Sequence, residues 1–299
     1  MMDTPLVSVV LSTYNDEKYI AAAIESVLNQ TYHNFEFIIW NDGSTDNTES
    51  IVKSYSDERI RYFYHENTGL GQALRLACQD VKGKYIARFD GDDLCLPDRL
   101  AKEVAFLENH SEYVLISSNF ITIDDNEKEY GRSYLCTWDR SLRKQFKYSS
   151  PIIHPASMFR TSVYKQTEGY LNMRRCQDHF LFAQMIKYGK VANLKEPLIK
   201  YRPDLVNLMG YSNNNPYRMV MAEYRRKMLN DEQVDEKDLE LYNEICKRYK
   251  RKNNVNIDLG KRKVSRAEKI NQIVTCILGE KAGANMLILA RNLYVSLLK

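Results

Sequence analysis

The sequence predicts an α/β protein, a Rossmann-like and mostly parallel sheet flanked by helices, followed by a helical C-terminal region. Three observations predict it. Over the first 125 residues, apolar runs of strand length alternate with segments of helical spacing. Each apolar run ends in a polar or glycine-bearing turn. Beyond Asn213, β-branched runs all but vanish and helical patterns rich in Lys and Arg take over.

The elements follow in order. LVSVVLS (residues 6–12) is a continuous β-branched apolar run, as expected of a strand covered on both faces. A helix is expected next, with Asn15 as N-cap, Asp16 and Glu17 in its first turn, and Ile20, Ala23, Ile24, Val27 and Leu28 on one face. FEFIIW (35–40) reads as the second strand, and NDGSTDNT as a turn capping a helix that begins near Thr48. RIRYFYH (59–65) is the third strand, and GLGQALRLACQDVKG a helix closed by Gly83. KYIARF is the fourth strand, Pro97 marks the start of a helix through DRLAKEVAFLENH, and YVLISSNFITI (113–123) is the fifth strand. From Tyr130 to about Asp204 the pattern loosens, apart from a helix over 178–189 ended by Gly189. Helices are expected over 216–230, 236–252, 266–277 and 282–298, with a domain boundary near 205–215.

The 299 residues are 44% hydrophobic and 27% charged, ordinary values for a globular protein, and the net charge of +4 is too small to imply a nucleic-acid partner. No signal peptide precedes the first strand, and the best apolar run, 286–298, is short and contains Arg291, so a cytoplasmic location is expected. Cys78, Cys95, Cys136, Cys176, Cys246 and Cys276 show no C-x-x-C spacing, which argues against a zinc site or a disulfide framework and suits a reducing compartment.

Parallel sheets bind ligands outside the carboxyl ends of their strands. Those ends carry Ser12-Thr13-Tyr14, Asn41-Asp42-Gly43, residues 65–69, and Asp90 to Asp93, four polar clusters expected to meet at one rim. In IARFDGDDLCLPDRL an apolar strand runs straight into carboxylates that repel one another. Alternate residues of an extended segment share a side, so Asp90 and Asp92 should face one ligand while Asp93 turns away. A hard divalent cation, Mg²⁺ or Mn²⁺, would offset the repulsion, taking one or two carboxylates plus substrate phosphate oxygens. D-x-D alone is a weak motif; its place after the fourth strand is what raises it. Asp98 is assigned to the first turn of the next helix. Asp42 either accepts hydrogen bonds from a nucleotide base or caps the following helix. No G-x-x-x-x-G-K-[ST] and no G-x-G-x-x-G after the first strand is present, so kinase-like and dinucleotide-binding readings lack their phosphate loops.

Together, VSVVLSTYNDEKYIAAAIESVLNQTYHNFEFIIWNDGSTDNT, NTGLGQA, GKYIARFDGDDLCLPDRL and EGYLNMRRCQDHFLFAQM resemble the family-2 glycosyltransferases of GT-A fold, over residues 5 to 203. The resemblance implies sugar transfer from a nucleotide-sugar, usually a UDP-sugar, with inversion at the anomeric carbon and assistance from Mn²⁺ or Mg²⁺. It implies a GT-A domain over 1–210, split into a nucleotide-sugar half (1–125) and an acceptor half (126–210), with 211–299 as the helical region. It puts Ser12 and Tyr14 at the nucleotide and Asp42 against the base. Asp92 and Asp93 fall at the metal, diphosphate and ribose, Asp90 completes the pattern, and Asp178 is the general base. Its usual setting is cell-surface polysaccharide or lipopolysaccharide synthesis, with a glycan or lipid-linked acceptor.

There are departures. Gln177 replaces the usual Glu before Asp178, and Asn41 the first Asp of the commonest D-D-G-S. Arg75 stands where an Asn is frequent and bears on donor preference, and no His follows Tyr201-Arg202. His154 in PIIHPASMFR suits either an acceptor or diphosphate contact or a structural histidine bonded to backbone. Trp40 and Trp138 are read as packing residues. The basic stretch 247–269 suits either peripheral contact with an anionic membrane surface, where a lipid-linked acceptor would reside, or a solvated helical face. The last helix is read as a docking or dimerisation element in preference to an amphipathic membrane contact. The competing functions are a nucleotidyltransferase and a catalytically inactive sugar-nucleotide binder.

Overall fold

The structure, a computed structural model, describes residues 4–146, 150–173 and 176–203. In chain order its elements are β1 (Val7–Thr13), α1 (Ile20–Leu28), β2 (Phe35–Asp42), α2 (Thr48–Lys53), β3 (Ile60–His65), α3 (Leu70–Ala77), β4 (Tyr85–Asp90), β5 (Leu94–Cys95), α4 (Arg99–Asn109), β6 (Tyr113–Ile123), β7 (Glu129–Arg132), α5 (Asp139–Phe146), a 3₁₀ turn (His154–Ala156), β8 (Met158–Arg160), α6 (Thr161–Tyr164), α7 (Gln177–Met185) and β9 (Lys190–Tyr201).

The strands form one sheet in the order β3-β2-β1-β4-β8-β6-β9-β5, with β7 paired on β6. The first four are mutually parallel, joined by helical crossovers. β8 enters antiparallel between β4 and β6, and β9 lies parallel to β6. Successive side chains of a strand point to opposite faces, which divides the core in two. Val9, Leu11, Phe37, Ile39, Ala87 and Phe89 pack with Ile20, Ile24 and Val27 of α1 and Leu100, Val104 and Leu107 of α4. Val10, Ile38 and Ile86 pack on the other face with Leu74 and Ala77 of α3, Phe146 of α5, and Leu181, Phe182 and Met185 of α7. Each Val, Leu, Ile, Phe or Met side chain so removed from water contributes about 1.5–3 kcal/mol.

Several boundaries differ from the sequence reading. Asn15 does not cap α1. It adopts the left-handed conformation (φ 57°), its side-chain oxygen accepts from the Thr45 N–H at 2.8 Å, and the Asp16 N–H reaches the Thr48 hydroxyl at 2.9 Å. The segment that looked like a first helical turn is instead tied to the loop after β2, and α1 starts at Ile20. α3 ends at Ala77, short of Gly83; the Gly83 N–H donates to the Ser8 hydroxyl at 2.8 Å and so joins β1. Trp40 packs as expected, stacked on Phe63 at 5.4 Å, but Trp138 is 75% exposed. Cys136 is disulfide-bonded, which its spacing in the sequence did not suggest; Cys78 and Cys95 are buried thiols.

No helix among the described residues is long and apolar enough to cross a membrane. The expected boundary at 205–215, the C-terminal helices, and the membrane and dimerisation contacts read from them lie outside the described residues.

One glycine makes a quantitative test of the packing between α3 and the segment that precedes α7. A Cβ at Gly71 would sit 2.5 Å from the Leu171 carbonyl oxygen and 2.7 Å from that of Met173, closer than real contacts allow and against backbone that cannot turn aside. Gly71→Ala is expected to lower stability by about 1–3 kcal/mol, read as a fall in the denaturant midpoint at unchanged slope.

Candidate active site

The strand register assembles the rim. Ser12 on β1 lies opposite Asp90 on β4 and Trp40 on β2, Thr13 lies opposite Asn41, and Asp42 lies opposite His65 on β3. Four strand ends, far apart in sequence, therefore finish side by side. Ser12 is buried there and Tyr14 exposed, at 49%. Asp42 is buried, with one carboxylate oxygen accepting from the N–H and hydroxyl of Thr68 at 2.9 and 3.0 Å and the other from the Gly69 N–H at 2.9 Å. Its carboxylate is turned to the β3–α3 loop rather than to α2, whose first N–H, that of Thr48, is accepted by Asp46 at 3.0 Å.

Beyond β4 the chain turns back, and oxygens of Asp90, Asp92 and Asp93 all come within 4.8 Å of one another. The expectation that Asp93 turns away is overturned because the strand ends at Asp90. Residues 91–93 form a turn, the Asp93 N–H bonding the Asp90 carbonyl, and alternation does not apply. Asp93 is fully buried; its Oδ1 accepts from the Arg202 N–H at 2.7 Å, and its Oδ2 has no partner. A Cβ at Gly91 would lie 2.7 Å from Oδ2 of Asp16, so the glycine leaves room for that carboxylate beside the turn. Asp98 sits at the N-terminus of α4, its carboxylate 2.7 Å from Lys102.

The electrostatics of the cluster follow from this crowding. Burial, then the charges of Asp90 and Asp16, push the Asp92 carboxyl up to about 7, opposed by Arg202. Burial, with Asp92 and Asp90 adding to it, holds Asp93 well above the ordinary carboxylate range. Asp90 is paired from within the sheet with Arg88, 1% exposed, whose guanidinium donates to its carboxylate. Two carboxylates without a full complement of partners and an orphaned buried oxygen are what a hard cation would satisfy.

Asp178 stands in the first turn of α7, mostly buried, directly after Cys176 in the left-handed conformation (φ 59°) and Gln177, whose buried Oε1 has no partner. Its carboxylate lies 3.8 Å from Nε2 of His179. Tyr170 is within electrostatic reach of both Asp178 and Arg88, and its hydroxyl meets Nε2 of His154 at 2.8 Å. Withdrawal from water, reinforced by Arg88 and His179, holds His154 well below its ordinary pKa and hence neutral. The histidine thus bonds a side chain rather than backbone. Arg75 stands apart, exposed in the last turn of α3 with Tyr164 as its electrostatic neighbour, while the opposite end of that helix meets the rim at Gly69.

Residues 65–69 lie at the rim as expected, Thr68 and Gly69 bonding Asp42; three further contributors, Asp16, Arg88 and Arg202, are not evident as site residues from sequence. Arg88 did leave a signal, since a charge inside an apolar buried strand must be paired. Asp16 reads from sequence as an N-terminal helix acid, and Arg202 carries no local signal of its role.

The model of the family described as Glycosyl transferase family 2 matches residues 8–167. EpsE of Bacillus subtilis, named as a glycosyltransferase, is 35% identical over 212 residues, spanning 68% of this chain and 75% of its own. The uncharacterized glycosyltransferase MJ1057 of Methanocaldococcus jannaschii is 36% identical over 210 residues, 67% of this chain and 72% of its own. Among solved structures, S. aureus TarS 1–349 in complex with UDP-GlcNAc shares the fold at TM-score 0.60 and 18% identity, covering 91% of this chain and 81% of that one. The mannosyltransferase PcManGT of Pyrobaculum calidifontis, in complex with GDP-Man and Mn²⁺, does so at TM-score 0.55 and 14% identity, covering 98% and 81%.

Proposed function

The chain belongs to glycosyl transferase family 2 and has the GT-A fold, and from that premise we propose that it moves a sugar from a UDP-sugar to a hydroxyl of a glycan or lipid-linked acceptor, with inversion, in cell-surface polysaccharide synthesis. The observation that carries this reading is the convergence of Asp90, Asp92 and Asp93 at the end of β4, with the buried Oδ2 of Asp93 unpartnered. An all-oxygen set of this charge fits Mn²⁺ or Mg²⁺, with Asp92 and Asp93 as its holders. When bound, the cation would stabilise negative charge on the departing diphosphate.

The chain's own residues do the rest. Ser12 and Tyr14 line the nucleotide side, Asp42 presents its carboxylate to the base from a position fixed by Thr68 and Gly69, and Asp90 is steadied by Arg88. Neutral His154 serves as a contact to acceptor or diphosphate. Asp178 accepts the proton of the acceptor hydroxyl as that oxygen bonds the anomeric carbon. The bond from that carbon to the diphosphate oxygen breaks in the same step, its electron pair leaves with UDP, and attack opposite the leaving group inverts the centre. Docking of the basic stretch 247–269 on the inner face of the cell membrane would bring a lipid-linked acceptor within reach.

The test is a panel of UDP-, GDP- and other nucleotide-sugars offered to the full chain with and without Mn²⁺, reading binding and slow donor hydrolysis. UDP-sugars should bind and turn over only with the cation. Binding that ignores both nucleotide and metal would sink the reading.

A further inference from the structure

We propose that Arg202 is a positioning residue for the Asp92–Asp93 pair, bracing the turn after β4 in the arrangement that receives a divalent cation; the inference rests on the metal reading above and adds a residue to it. The topology brings it there. β9 runs antiparallel to β5, with Leu94 opposite Lys200 and Cys95 opposite Ile199, so the chain leaving β9 arrives beside the residues that precede β5. Arg202 is 109 positions from Asp93 in sequence, yet its backbone N–H donates to Oδ1 of Asp93 at 2.7 Å.

Its side chain then joins three segments. Nε donates to the Asp92 carbonyl at 2.9 Å, and a terminal nitrogen donates to the carbonyl of Asp124, in the turn between β6 and β7. The guanidinium also lies over the Tyr19 ring, 4.3 Å from its centroid, just before α1. Only 7% of the residue is exposed. A planar fork with several fixed donors can span two carbonyls and stack on a ring at once, which an ammonium cannot. Among the described residues these side-chain hydrogen bonds go to carbonyls, none to a carboxylate, so the arginine holds backbone in place while leaving Oδ2 of Asp93 open.

Because the bond to Asp93 comes from backbone, substituting the side chain removes the brace and keeps that bond. The signs of two explanations then differ. Loss of a mere positive charge beside a cation site would tighten cation binding, whereas loss of a brace weakens it.

The experiment is Mn²⁺ binding by the full chain, measured by calorimetry or by the paramagnetic signal of free Mn²⁺, for the wild type, Arg202→Ala, Arg202→Lys and Asp92→Asn. Arg202→Ala and Arg202→Lys should each weaken Mn²⁺ binding by about 10-fold or more, the range for residues that orient metal ligands. At saturating Mn²⁺ they should lower kcat for donor hydrolysis with KM for the UDP-sugar little changed. Wild-type affinity in both variants, tighter binding in Arg202→Ala, or full rescue by Arg202→Lys would each overturn the brace while leaving the metal reading intact, provided Asp92→Asn has lost binding. A wild type that binds no Mn²⁺ overturns both. Should Arg202→Ala fail to fold, Arg202→Lys, which keeps charge and bulk, decides alone.

Discussion

Replacing Asp178 by asparagine is expected to lower kcat for sugar transfer by about 10²- to 10⁴-fold, the usual contribution of a positioned base, with UDP-sugar and Mn²⁺ bound as in the wild type. Asparagine keeps the size and hydrogen-bonding reach of the side chain and removes only its ability to take a proton. Its site favours a clean result, since the side chain is mostly buried in the first turn of α7 and the adjoining Gln177 carries no charge that might substitute. The measurement is kcat and KM for transfer beside calorimetric binding of donor. An unchanged kcat with intact binding would assign the proton to another group.

Replacing Asp92 by asparagine is expected to weaken Mn²⁺ binding by about 100-fold or more and to abolish metal-dependent donor hydrolysis. The same carboxyl sets a pH dependence. With its folded pKa pushed up to about 7, Asp92 is protonated below that value, where the proton competes with the cation. Affinity for Mn²⁺ should therefore fall as pH drops through about 7, by about 10-fold per unit from this group alone. Stability without the cation runs in the opposite sense. A carboxyl raised above its unfolded value stabilises the fold below the ordinary carboxylate range, and that contribution is lost as pH rises through about 7. The unfolding midpoint of the metal-free protein should thus decline between about pH 5 and pH 8, while the increment given by Mn²⁺ grows. In Asp92→Asn both trends should flatten; a wild-type pH response there would remove Asp92 from the site.

The sheet's first half is legible because its strands are mainly apolar runs, each followed by its own turn, so local sequence carries the signal. The stretch between Tyr130 and β9 was not, because β8 is three residues long and owes its place to pairing with β4 and β6 rather than to any periodicity of its own. The start of α1 departs from local pattern for a related reason: the backbone N–H groups of Asn15 and Asp16 and the Asn15 side chain bond residues 44–48, close only after folding.

The candidate site divides in the same way. Local pattern by itself determined that carboxylates follow the fourth strand, that polar residues end the other three, and that these ends share a rim, because parallel strands joined by right-handed crossovers leave no other arrangement. Only tertiary structure decided which oxygens remain open. The turn at Gly91 swings Asp93 inward against the alternation of an extended chain, Arg88 occupies Asp90, and Thr68 and Gly69 hold Asp42. Arg202 reaches Asp93 across more than a hundred residues, through the pairing of β9 with a two-residue strand that no local pattern announces. Periodicity and turn chemistry act over a few neighbouring residues, whereas the partner of a buried charge is fixed by packing between segments that the sequence keeps apart.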